Sequence, residues 1–153
     1  MDFSKATGRI EIKVTNPDGS VLSHQKVKNV ITNTGKALFA GLAGNVGGLA
    51  ALGWIATGTS NTAASASQTA LGAEISTNGL QRTASVNTRT TTSVTNDTLS
   101  MAVTFNVSGS STVQEVGVFN ASTAGIMAGR QVISALSLVS GQQLAVTYTI
   151  QFS

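Results

Sequence analysis

Apolar and polar side chains alternate with a period of two residues in several segments of the chain, and turn-forming residues separate those segments. Ile10, Ile12 and Val14 alternate with Glu11 and Lys13, which gives a strand with one apolar face. Asn16-Pro17-Asp18-Gly19 ends it as a turn. Proline presets φ at the second turn position, while aspartate and glycine supply local hydrogen bonding and a permissive backbone. A returning strand over residues 21–31 completes a first hairpin. Leu99, Met101, Val103, Phe105 and Val107 alternate with Ser100, Ala102, Thr104 and Asn106, and Leu144, Val146, Tyr148, Ile150 and Phe152 repeat the pattern at the end of the sequence.

The remaining segments are read from weaker signals. Residues 53–59, which hold the single tryptophan, Trp54, predict a short buried strand. Residues 80–94 are rich in threonine without an apolar stripe, as expected of one solvent-facing or edge strand. Residues 112–120 and 125–133 predict a hairpin. If Asn120 opposes Gly125, antiparallel counting sets Glu115 opposite Arg130, on one face. Residues 61–67 are a low-complexity polar loop, and residues 68–75 are expected to hold one helical turn before Asn78-Gly79.

One helix stands out, over residues 35–43, with Asn33 or Thr34 as its cap, Leu38 and Leu42 on one face, and Gly44 as a left-handed stop. A helix this short is marginal alone and must pack on a sheet. These elements predict an all-β fold of about eight antiparallel strands, sandwich-like or jelly-roll-like, with one short helix. At 153 residues the chain fits a single domain, and it needs no disulfide, having no cysteine.

Composition changes this picture in one respect. Charged residues make up only 10% of the chain, against about 25% in ordinary soluble proteins. The exposed surface is therefore mostly neutral hydroxyl and amide, or is covered by partners. The net charge of +3 is placed unevenly, with Lys5, Arg9, Lys13, Lys26, Lys28 and Lys36 all in the first 36 residues. Residues 1–31 thus read as a basic hairpin that makes assembly contacts with an acidic surface through Lys5, Arg9, Lys13, Lys26 and Lys28. Nucleic-acid domains usually carry denser Lys/Arg clusters with interleaved aromatics, so no nucleic-acid partner is expected. Residues 1–20 carry no basic region followed by an apolar run, and five glycines interrupt the weakly apolar stretch at residues 37–56, so neither a secretory signal nor a membrane span is expected.

The inventory for chemistry is thin. His24 is the only histidine, which leaves no tetrahedral Cys/His zinc site and no Cys–His nucleophilic pair. A serine–histidine–aspartate triad would need His24, which lies in a predicted strand between Ser23 and Gln25 without a nucleophile-elbow motif. Glu74, Asp97 and Glu115 are isolated acids, better read as surface or ion-pair residues than as a hydrolytic pair. The expectation is a non-enzymatic protein with no catalytic residues, cofactor, metal or small-molecule substrate.

Several short motifs carry a family resemblance. They are Val30-Ile31-Thr32-Asn33-Thr34-Gly35 entering the helix, Ile55-Ala56-Thr57-Gly58-Thr59, Thr112-Val113-Gln114-Glu115-Val116-Gly117-Val118-Phe119, Ile126-Met127-Ala128-Gly129-Arg130, and the terminal strand over residues 146–152. In this order they resemble structural proteins of tailed bacteriophage virions, head-decoration (cement) proteins and related tail or fibre modules. The resemblance implies a β-sandwich-like module on the outside of the phage head, a homotrimer bound to the major capsid protein, with Glu115 and Arg130 as a structural ion pair. The 61–67 segment departs from the pattern, since similar proteins often carry proline there. A tail, neck or fibre-attachment module is the alternative, and a carbohydrate-binding adhesin domain is a third reading. Sugar sites usually display exposed aromatics, whereas Trp54 and Tyr148 lie in apolar patterns.

Overall fold

The computed structural model describes residues 5–153, so Met1–Ser4, the start of the expected basic hairpin, lie outside the described residues. The strands, in chain order, are β1 (Ala6–Thr15), β2 (Val21–Ile31), β3 (Trp54–Gly58), β4 (Thr83–Ala84), β5 (Val86–Thr90), β6 (Thr98–Asn106), β7 (Ser111–Phe119), β8 (Met127–Leu138) and β9 (Gln143–Phe152), and the helix is α1 (Asn33–Gly44). All strand pairings are antiparallel. The fold is all-β with a single short helix, as the alternation predicts.

The nine strands form one sheet in the order β4-β3-β7-β8-β2-β1-β9-β6-β5. Its two outermost strands, β4 and β5, are separated in sequence by Ser85 alone. The sheet therefore curls until its ends meet and is nearly a barrel. This also corrects the expectation of one strand over residues 80–94. The chain crosses from one edge of the sheet to the other at Ser85, whose N–H donates to the Gly53 carbonyl at 2.8 Å.

The curled sheet has two halves with β2 as the hinge. Val21 to Asn29 of β2 pair with β1, whereas Val30 and Ile31 pair with Arg130 and Gly129 of β8. One half is β5-β6-β9-β1-β2, and the other is β4-β3-β7-β8. Between them lies the main core, with Ile10, Ile12, Phe105, Val116, Tyr148 and Ile150 among its fully buried members.

Helix α1 packs beside β8, with Leu38 buried in the core. Thr32 is the N-cap, its hydroxyl accepting from the Gly35 N–H at 2.9 Å. The left-handed C-cap is Asn45, with φ of 52°, and not Gly44. Asparagine tolerates this conformation because its short polar side chain can bond locally. The residues at 68–75 form no helical turn. They are held instead by the buried acid described below.

Candidate functional site

Two features of the fold bear on function, one on the outside of each half. The first is the outer face of β2-β1-β9-β6. Alternation places Arg9, Glu11 and Lys13 of β1 on that face, opposite Lys28, Lys26 and His24 of β2. On the other side of β1, Arg9 pairs with Thr149, Glu11 with Thr147 and Lys13 with Ala145 of β9. The rows continue into β6 with Ser100, Ala102 and Thr104. The residues of β1 and β2 on this face are exposed.

The face is thus a sheet of short hydroxyl and methyl side chains bordered by cations. A shallow groove of about 340 Å³ runs between Arg9, Glu11, Lys26, Lys28, Thr147 and Thr149. Glu11 is the one acid of these rows. Its carboxylate lies 2.7 Å from His24 Nε2 and 3.7 Å from Lys26 Nζ. The hydrogen bond with His24, helped by the charge of Lys26, holds the Glu11 carboxyl below its ordinary range. Of the five cations named from sequence, Arg9, Lys13, Lys26 and Lys28 share this face. Lys5 precedes β1 and lies beside Ser153, whose N–H donates to its carbonyl at 3.1 Å.

The second feature is buried. Glu115 on β7 and Arg130 on β8 form an ion pair, Nε to Oε2 at 2.7 Å, with both side chains 0% exposed. They are not directly opposite each other, as equal counting outward from the turn predicts. The turn sets Asn120 against Ile126 and not Gly125, and an irregularity at Val118 and Phe119 adds a second one-residue shift, so Arg130 faces Gly117 and Glu115 faces Val132. The two still share a face because the displacement is two residues, the side-chain period of a strand.

What surrounds the pair was not legible from spacing. Glu115 Oε1 accepts from the Ala73 N–H at 2.8 Å and the Ser60 N–H at 3.3 Å, and Oε2 accepts from the Gly72 N–H at 3.0 Å. Arg130 Nη1 donates to Gln68 Oε1 at 2.9 Å, and that same oxygen accepts from the Ser65 N–H. The acid therefore does more than fix strand register. It gathers the backbone of residues 60–73 onto the outside of the β3-β7-β8 half, and Gln68 ties the Ser/Ala-rich segment to the base. Burying this carboxylate is tolerable because it receives one guanidinium and three backbone donors.

Two glycines make room for the arrangement. A Cβ at Gly58 would sit 2.3 Å from Glu115 Oε1 and 2.6 Å from the Ala73 carbonyl, and one at Gly117 would sit 2.8 Å from Leu71 Cδ2. Next to the pair lies a small second core of Ala56, Leu71, Phe119 and Met127, with Trp54 against it. Arg82 closes its rim. It lies 3.6 Å over the Phe119 ring, makes a two-pronged contact with Glu74 at 2.8 and 2.9 Å, and donates to the Ala121 and Ala124 carbonyls. Sequence reading missed Arg82 because its partners are 8 to 42 residues away in the chain.

Asp97, one of the isolated acids, organises the β5–β6 turn. Its carboxylate accepts from the N–H groups of Thr92, Ser93 and Val94 at 2.8–3.0 Å and from the Thr98 hydroxyl. The bond from Val94 leads the causes that push its carboxyl far below the usual aspartate range. No three of the described His, Asp and Glu residues gather as a metal cluster. Compared with protein-family models, curated proteins and solved structures, the chain matches none.

Proposed function

We propose that this chain is a non-enzymatic structural protein of a tailed-phage virion, a decoration protein that binds the outside of the head and reinforces contacts between major capsid protein subunits. The observation that carries the reading is the broad outer face of β2-β1-β9-β6, uncovered, poor in acids and edged by Arg9, Lys13, Lys26 and Lys28. A sheet face of threonine, serine and alanine offers a stiff contact surface with little side-chain entropy to lose on binding. The cations steer it toward acidic protein surface. The phage-type motifs and the sparse charge point the same way.

Reinforcement of this kind is passive. Many copies of a modest interface, each near the standard 1,600 Å² or so, gain strength from avidity without any chemical step. Quantitative gel analysis of purified particles tests the reading. A copy number comparable to that of the shell protein supports head decoration, a few copies per particle place the chain in the tail, neck or fibre, and absence from the particle removes the virion reading altogether.

A further inference from the structure

Between β2 and β8 the nearly closed sheet has an open seam. After the two pairings at Val30 and Ile31 the ladder stops, and it does not resume along Val21 to Asn29 or along the facing stretch of β8 among the described residues. An irregularity in β8 falls in this stretch, where register shifts between the pairs of Glu115 and Val113. Among the described residues, one side chain bridges the seam by hydrogen bonds. Gln25 Nε2 donates to the Ser134 carbonyl at 3.1 Å, and the Ser134 N–H donates to Gln25 Oε1 at 3.1 Å. From the core-facing row of β2, a primary amide here makes both bonds to Ser134 that a neighbouring strand's peptide group could otherwise make.

At the closed end of the seam, polar atoms wait for partners. Both amide atoms of Asn29 and the hydroxyl of Tyr148, which is completely buried, have no hydrogen-bond partner among the described residues. They meet around Gly129, where a Cβ would lie 2.0 Å from the Tyr148 hydroxyl and 2.6 Å from Asn29 Nδ2. At the open end, Val21 and Leu22 are more than half exposed.

From these observations the geometry points to a strand-addition site: the β2 edge at the seam receives an extended segment of a partner protein that carries carboxylates at every second residue. Backbone bonds to an open edge supply affinity, and alternate side chains supply selectivity. The outward side chains along this edge are His24, Lys26 and Lys28, spaced two apart. Acids on the incoming strand match Lys26 and Lys28, and these two cations disfavour pairing with the β2 edge of a second copy. Gln25 is the placeholder that the segment displaces. The inference deepens the assembly reading by naming how a partner attaches, and it is testable on the isolated protein whatever the particle measurements give.

The probe is a fluorescent nine-residue peptide alternating valine and glutamate, with a valine–lysine peptide as control, followed by anisotropy. Saturable binding of the glutamate peptide alone is expected. Lys26→Glu with Lys28→Glu weakens it by about tenfold. Gln25→Ala, which clears the seam, strengthens it, and Arg89→Glu, on exposed β5 away from the edge, leaves it nearly unchanged. Amide exchange gives a second reading: seam-facing amides of β2 exchange faster than those of β1 in the free protein and become protected when the peptide binds. The proposal is overturned by absence of saturable binding, by equal binding of both peptides, by equal losses in Arg89→Glu and the Lys26/Lys28 variant, or by seam-facing β2 amides already as protected as those of β1.

Discussion

The two halves of the sheet are built from similar strands and finished in opposite ways. In β1, β6 and β9 burial alternates residue by residue, one face in the core and the other bare. In β7, from Glu115 to Phe119, every residue is buried, because the core covers one face and residues 60–82 cover the other. The bare half shows its cations to solvent, whereas the covered half hides an ion pair and uses it to hold its cover. An exposed charge on a sheet contributes little to folding and is free for recognition. A buried one that anchors a loop contributes mainly to structure.

Variants that open the covered half should therefore do the most damage. In Glu115→Gln, Arg130 keeps its charge without a counter-charge and the loop's anchor loses strength. The expected loss is about 3–5 kcal/mol, read from urea unfolding, and unchanged stability would mean the pair is ornamental. Gly58→Ala attacks the same place by crowding, and about 1–3 kcal/mol is expected, with earlier proteolysis within residues 60–73.

Acid tests the end of the bare half. Because Asp97 titrates well below its ordinary value of 3.8 when its turn is formed, its stabilisation is complete above that pH and is lost as pH falls toward the lowered value. The amides of Thr92, Ser93 and Val94 should exchange faster on acidification in the natural protein. In Asp97→Asn they should be fast throughout and nearly insensitive to pH over that window. The smallest effect on folding is expected on the bare face itself. Lys28→Ala should shift stability by no more than about 0.5 kcal/mol in the same urea assay. If the face is a contact surface, the variant still binds particles more weakly, and a large loss of stability would mean that Lys28 serves the fold.

Alternation is a local property, and so it was legible. Ile10, Ile12 and Val14, or Leu144, Val146 and Tyr148, announce a strand and its inward face whatever else the chain does. The Asn16–Gly19 turn and the existence of α1 could be read in the same way, whereas placing Glu115 and Arg130 on one face needed an assumed hairpin register, and their burial was not legible. The basic residues of β1 and β2 fall on one face because a hairpin with matched register leaves no other arrangement.

Tertiary structure decided what depends on residues far apart in the chain. Nothing in the threonine-rich run marks Ser85 as the point where the chain leaves one edge of the sheet for the other. The acid that holds residues 60–73 lies more than 40 residues further along. Register in the β7–β8 hairpin slipped from simple counting because the turn and one irregularity each displace every later pair by one residue. Period two is set by the geometry of a single strand, while edges, covers and seams are set by which strands meet, and that depends on burial summed over the whole molecule.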